Sequence, residues 1–492
     1  MARRLAVGAI GVVLAVAGGD GPALARTATT TKAATTQTAA AQTAATQAAA
    51  TQAAAAPVAA TTAPATATAD PLRSGPMAGF SEPREVLLWV QTRQAARVRF
   101  VYWDEAEPQT RHATAETTTR AQDAFVAKLV ADAVRPGRRY LYEVHVDGAS
   151  VERPHPLRFQ ARPLFRIFRG EAPPVRFALG SCYYANDPGD ERGWNPGAEE
   201  RIFDTIADQN PDFMLWLGDN VYLREQDWTT RTGMLERYTQ QRELPALQRL
   251  LGSTHHYATW DDHDYGPNDA DRSFRDKHTA REVFSLFWGN QSYGVPESPG
   301  VTTRFAWGDA EFFLLDNRWN RTPNWRTTGE RRILGEAQID WLLDALSSSY
   351  ATFKFVVIGG QVLNTHRTAE TYANFPEERA RLIRRIGEER VRGVFLLTGD
   401  RHFSELSKLE RPGAYPLYDL TVSPLTVSPS NGEREPNALR VPDSFVGVRN
   451  FGVIELSGPR QDRRLTLTLR DSTGAVRFTQ TIAARDITDF VE

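Results

Sequence analysis

With a single cysteine, Cys182, in 492 residues, the chain has no intrachain disulfide, so its fold rests on packing alone. An excess of charge is missing as well, since 58 lysines and arginines against 60 aspartates and glutamates leave a formal net charge of -2. That balance lacks the basic surplus that neutralises a phosphate backbone, and no nucleic-acid partner is expected. Small polyanionic substrates stay open, because a metal can supply positive charge locally. Long apolar runs are also absent. The run from Leu5 to Ala17 is too short to span a bilayer, and no other segment offers a transmembrane span.

That short run instead reads as part of an export signal over residues 1–25. Arg3 and Arg4 precede it, and Ala23-Leu24-Ala25 supplies a small-residue cleavage site. The paired arginines admit the twin-arginine as well as the general secretory route. A secreted, periplasmic or cell-surface protein is expected. Residues 26–75 are nearly all Ala, Thr, Gln and Pro, without periodicity. They read as a disordered linker, able to tether the folded part to the cell envelope.

What is present is enough for a large core: 41% hydrophobic and 10% aromatic residues. The length suits a large domain plus a smaller one. Over residues 76–165, short runs such as Val86 to Val90, Val98 to Tyr102 and Tyr140 to Val146 are separated by turn signals at Pro136-Gly137 and Asp147-Gly148. This pattern predicts a small β-sandwich of fibronectin or immunoglobulin type. Residues 170–492 alternate buried strands with amphipathic helices. The expected architecture is α/β, with two packed sheets flanked by helices.

The strands of this second part share one habit. Val175 to Leu179 runs into Gly180-Ser181-Cys182, and Phe213 to Leu217 into Gly218-Asp219-Asn220-Val221-Tyr222. His256 to Trp260 leads into Asp261-Asp262-His263-Asp264, Phe312 to Leu315 into Asp316, Phe353 to Ile358 into Gly359-Gly360-Gln361, and Val394 to Leu397 into Gly399-Asp400-Arg401-His402. Ligands in α/β folds bind beyond the carboxyl ends of the strands. These scattered clusters therefore converge in space.

The densest of them, Trp260 to Asp269, holds four carboxylates, an imidazole and an amide. Such groups repel one another unless cations lie between them. A solvated acidic turn is the bland alternative. Collected, Cys182, Asp219, Tyr222, Asp262, His263, Asp264, Asn268, Asp269, Gln361, Asp400 and His402 exceed what one ion needs. Two or more ions are implied, with Asp219 the best bridging carboxylate, setting a separation of about 3.5–4 Å that suits in-line displacement at phosphorus. The thiolate of Cys182 and phenolate of Tyr222 suit iron, whereas the Asp and Asn oxygens suit calcium, magnesium or manganese.

These motifs resemble, in order, those of the PhoD-like alkaline phosphatases of the calcineurin-like metallophosphatase superfamily. The likeness spans about Pro83 to Thr481. It implies a secreted phosphomonoesterase or phosphodiesterase carrying Fe3+ and Ca2+, whose metal-bound hydroxide attacks phosphorus. It also implies Cys182, Asp219 and Tyr222 around iron, Asp262 as a ligand, His263 nearest the chemistry, and Asp400 and His402 as the last ligand motif. Gln361 and Asp400 stand where other branches of the superfamily place histidine, which favours oxygen-liking calcium.

Arg318 is a candidate clamp for a phosphate oxygen, or else a salt-bridge partner. Asp261 either orients His263 or caps the loop. His255, His256 and the tryptophans 260, 288, 307 and 341 read as structural, and Arg379 to Arg385 as a solvated helix face. Ser181 lacks the Gly-x-Ser-x-Gly setting of a serine hydrolase. The rival to a small-phosphoester hydrolase is a non-catalytic extracellular binding protein stiffened by calcium. A thiolate and an imidazole among the carboxylates speak against it. Phospholipase and phosphotriesterase activities remain alternatives within the enzyme class.

Overall fold

The computed structural model describes residues 69–165, 171–187, 200–368 and 370–490. The expected export signal and most of the linker lie outside them. Among the described residues, no helix is long and apolar enough to cross a membrane.

Period-two patterning builds the centre. In Val175–Gly180 and Phe213–Leu217, which pair in parallel, the side chains of Phe177, Leu179, Phe213, Leu215 and Leu217 face one core. Ala178, Met214 and Trp216 face another. Strands buried on both faces read as unbroken apolar runs, as these do. The first core is a sandwich of two sheets. Phe177 stacks on Phe213 at 5.0 Å between ring centroids and meets the edge of Phe312 of the other sheet at 5.1 Å. Removing one such ring costs about 3–5 kcal/mol. The second core packs the outer face of the first sheet against helices Ile202–Asp208, Pro245–Ser253 and Lys277–Phe287.

The first sheet has nine strands, with Val175–Gly180, Phe213–Leu217 and His255–Thr259 parallel at its middle and the C-terminal strands from Asn450 on along one side. The second has six, and Ala310–Leu314, Phe353–Ile358, Val394–Thr398 and Ala414–Thr421 run parallel within it. The mixed α/β architecture of two packed sheets with flanking helices is thus as expected.

The N-terminal stretch differs in one respect from a self-contained sandwich. Its strands Leu72–Ser81, Val86–Thr92 and Val126–Ala131 belong to the nine-stranded sheet, joined to it where Ala78 pairs with His255. Only Arg97–Asp104, Arg139–Val146 and their short neighbours form a sheet of their own. Ordered chain also begins earlier than the composition suggested, since Leu72 lies within the stretch read as linker. The join is polar and specific. His255 accepts from the Gln160 amide at 3.0 Å through Nε2, and its Nδ1 lies 2.8 Å from the Gly79 carbonyl.

Candidate metal centre

The parallel strands end side by side, and the clusters after them meet. Among the described residues, two of the three groups of side chains with ligand atoms within 4.8 Å of one another lie here: Cys182, Asp219 and His402, and Asp219, Asp262 and His263. Asp219 belongs to both. Its Oδ2 lies 3.6 Å from the Cys182 sulfur and accepts from the Tyr222 hydroxyl at 3.1 Å, and its Oδ1 accepts from the His263 amide at 3.2 Å. The Tyr222 oxygen is also 3.4 Å from His402 Nε2. Cys182, Asp219, Tyr222 and Asp262 are buried, while His263, Asp400 and His402 are partly exposed.

The backbone pays a conformational cost here. Of twelve non-glycine residues with positive φ among the described ones, five are Cys182, Asp219, Asp269, Asp400 and His402. Strained backbone of this kind costs about 1–3 kcal/mol per residue and persists where surrounding structure enforces it, most often at functional sites.

Electrostatics point to a cation. Burial, then repulsion from Asp262, Asp261 and other neighbouring acids, pushes the Asp219 carboxyl well above its ordinary range. Burial and the surrounding acids raise Asp400, Cys182 and Tyr222 in the same way. One oxygen of Asp400, Oδ2, is buried without a hydrogen-bond partner among the described residues. Burial would also raise Asp262, but His263 and Arg318 hold it below the carboxylate range. His402 is lowered to about 4 by burial and by His263, which leaves its nitrogen free of a proton for coordination. A thiol, a phenol, carboxylates and a neutral imidazole, mutually destabilised unless a cation intervenes, fit a metal centre.

The central stretch is a short helix rather than a turn-rich loop. Asp262–Tyr265 makes one helical turn, and Asp261 caps it while Asp264 accepts from the Asp261 amide at 3.0 Å, a capping box. The Asp264 carboxylate also takes the Asn220 amide and side chain at 3.1 Å each. It fastens the Asp219 loop to this helix. Burial raises its pKa to about 8. Asp264 therefore stands apart from the ligand clusters, its oxygens already occupied by N–H donors.

Other expected ligands are also placed elsewhere. Gln361 donates to Glu405 and Thr421 at 2.9 Å each, and its Oε1 accepts from Asn364 at 2.9 Å, so both ends of the amide are engaged. Asn268 is exposed. Asp269 contributes its backbone amide to Asp262 Oδ2 at 2.7 Å, and burial followed by Glu370 and Asp262 raises its carboxyl to about 6.

Arg318, expected as a phosphate clamp, is wholly buried beneath the site. Its Nε donates to Asp261 Oδ1 at 2.5 Å, and its Nη2 pairs with both Asp261 and Glu370. Turning it toward a substrate would strand two buried carboxylates, at about 3–5 kcal/mol for each broken pair. The guanidinium is a fixed counter-ion to Asp261.

Three contributing residues escaped the sequence reading. Ser423 Oγ lies 3.1 Å from the Cys182 sulfur and accepts from the His402 amide at 2.9 Å. Asn317 donates to Asp261 Oδ1 at 2.7 Å. Both follow apolar strands, so the strand-end rule applied more widely finds them. Glu370 lies far beyond its nearest strand and carries no such signal.

The fold and site together define a metallophosphatase-like architecture. Among solved structures, that of PhoD is similar with a TM-score of 0.69 at 18% identity, covering 85% of this chain and 90% of that one. A purple acid phosphatase from yellow lupin (Lupinus luteus) seeds follows with a TM-score of 0.60 at 12% identity, over 83% and 74%. The chain belongs to the PhoD-like phosphatase family, whose model matches residues 192–450, more than half of it. A model for a domain of unknown function matches residues 69–164. Alkaline phosphatase D of Bacillus subtilis (strain 168) is 25% identical over 288 residues, 48% of this chain. The match spans about half, 47%, of that relative.

Proposed function

We propose that the protein is an exported metal-dependent phosphoesterase that hydrolyses phosphomonoesters, phosphodiesters or both. The observation that carries this reading is Asp219, one carboxylate shared by two ligand clusters with an imidazole on either side. A carboxylate open to both clusters would help hold two cations, whose chemistry suits displacement at phosphorus.

Cys182, Asp219, Tyr222 and His402 would hold Fe3+, since a thiolate, a phenolate and an imidazole favour iron over alkaline-earth ions. Asp219 and Asp262, with the unpartnered oxygen of Asp400, would hold Ca2+. When bound, such ions supply positive charge to the phosphoryl oxygens and acidify water. The protein's own share is placement and proton transfer. His263, partly exposed beside Asp219 and Asp262, holds a hydrogen bond or proton for the leaving oxygen. Asp261 fixes the turn that carries it by accepting from the Asp262 amide at 3.0 Å. No side-chain nucleophile is proposed, since the buried Ser181 hydroxyl is bound to the Val422 carbonyl at 2.8 Å and Cys182 is enclosed among the ligands.

The test is metal analysis of purified full-length protein combined with rates on p-nitrophenyl phosphate and bis-p-nitrophenyl phosphate. Turnover of either ester by iron- and calcium-containing protein, abolished by a chelator, is the expected result. Fully metal-loaded protein inactive on both overturns the reading.

A further inference from the structure

A third acidic group, Asp261, Asp262 and Glu370, also brings three carboxylates within 4.8 Å of one another. Here the resident cation is a side chain. Arg318 pairs with Asp261 and Glu370 and lies 3.7 Å from Asp262 Oδ1. Glu370 is in turn pinned on its other oxygen by Arg321 at 2.9 Å and by Asn324 at 3.2 Å. Asp261, Glu370, Arg318 and Arg321 are all buried, and each carboxylate has a guanidinium partner. Buried, bidentate pairing of this kind holds its members in fixed geometry.

Its geometry leads to the reacting atoms by one short path. Glu370 orients the Arg318 fork, and Arg318 Nε holds Asp261 Oδ1. The same Oδ1 caps the helix bearing Asp262 and His263, through the Asp262 amide at 3.0 Å. Asn317 adds a third donor to that oxygen at 2.7 Å. The far side of Asp261 is closed by backbone, because a Cβ at Gly359 would lie 2.6 Å from its carboxyl carbon. The cap therefore has one position.

From this we infer that Glu370 is a positioning residue, acting through Arg318 and Asp261 to set the Asp262–His263 turn against the metal ligands, and that Arg318 takes no part in holding phosphate. The inference rests on the phosphoesterase reading for its kinetic consequence, but its structural consequence is separate. Loosening the cap frees Asp262, a proposed ligand, so metal retention changes whether or not the substrate class is right. Groups that orient metal ligands typically affect affinity or activity by about 10- to 100-fold.

The experiment uses the full-length metal-loaded protein, Glu370→Gln, Arg318→Lys and the charge-balanced double variant Arg318→Gln/Glu370→Gln. Two readouts are taken: the rate of calcium release to a chelator, followed by metal analysis, and kcat, KM and the inhibition constant of inorganic phosphate with p-nitrophenyl phosphate. In Glu370→Gln, calcium release is expected to quicken and kcat to fall, each about 10- to 100-fold, with KM and phosphate inhibition within about twofold. Arg318→Lys is expected to follow the same pattern, since a point charge replaces the fork. The double variant keeps the net charge of the group and reads the same two quantities if a single variant does not fold.

Phosphate inhibition weakened tenfold or more by Arg318→Lys, with kcat kept, would make Arg318 a clamp and overturn the inference. Wild-type calcium release and wild-type kcat in Glu370→Gln would overturn it as well. A wild-type protein without phosphoesterase activity refutes the proposed function alone. In that case the release rates still decide the role of Glu370.

Discussion

The phenol ring of Tyr222 lies against the imidazole of His263, with centroids 4.1 Å apart and planes inclined by 28°. Each is also tied to a different oxygen of Asp219, Tyr222 through its hydroxyl and His263 through its amide. The two ligand clusters are thus coupled by one carboxylate and by one ring contact. Replacing His263 removes the partly exposed imidazole proposed to serve the leaving oxygen and leaves the Tyr222 hydroxyl on Asp219. His263→Ala is expected to lower kcat about 10²- to 10⁴-fold, the usual span for a general acid, with iron content unchanged. Steady-state kinetics beside metal analysis checks both halves.

Cys182 offers the other half of that separation. Its sulfur is 3.6 Å from Asp219 and 3.1 Å from the Ser423 hydroxyl. Cys182→Ser is expected to lose iron, and with it any visible absorption, while calcium at the Asp262 side is retained. Unchanged iron in the variant removes Cys182 from the centre.

Gly218 precedes Asp219 with φ at +104°, where a side chain is strained, and a Cβ there would lie 2.8 Å from the Cβ of Asp261. Gly218→Ala presses the Asp219 loop against the capped helix. The expected cost is more than about 1 kcal/mol of stability, with reduced metal content, as read by thermal denaturation and metal analysis.

A pH dependence arises at the other end of the strand His255–Thr259 from the candidate metal centre. Burial lowers His255 from 6.5 to about 4 and His256 to about 3. The unfolded chain takes up these protons first, so the stability of the neutral rings is fully present above about pH 6.5 and is lost as pH falls toward 4. For His255 this amounts to roughly 3 kcal/mol. His255→Gln is expected to melt lower at pH 7.5, yet to lose less melting temperature than wild type between pH 7 and 5. An equal slope in both proteins contradicts the assignment.

The convergence of these strand ends was legible in the chain because one rule, apolar strand followed by polar cluster, acts locally. It brought Cys182, Asp219, Tyr222, Asp262, His263, Asp400 and His402 to one face. It fails where a residue's partner is chosen by tertiary contact. Gln361 and Asp264 stand in the right places but spend their polar atoms on buried neighbours, and Arg318 is drawn down by Glu370, whose position no local pattern announces. The shared sheet was hidden for the same reason. Ala78 and His255 are adjacent only after folding, and strand pairing over such a separation leaves no mark on either segment.

That nine-stranded sheet also constrains how the protein comes into being. Val175–Gly180 is flanked by Phe213–Leu217 and by Asn450–Ser457, and Leu72–Ser81 waits for His255–Thr259. A ribosome releasing the chain from its N-terminus delivers Val175–Gly180 long before Asn450–Ser457, and Leu72–Ser81 long before His255–Thr259. Pairings this distant in sequence are slow to form, so the middle of that sheet, which carries the candidate metal centre, is completed only after Asn450–Ser457 has been made.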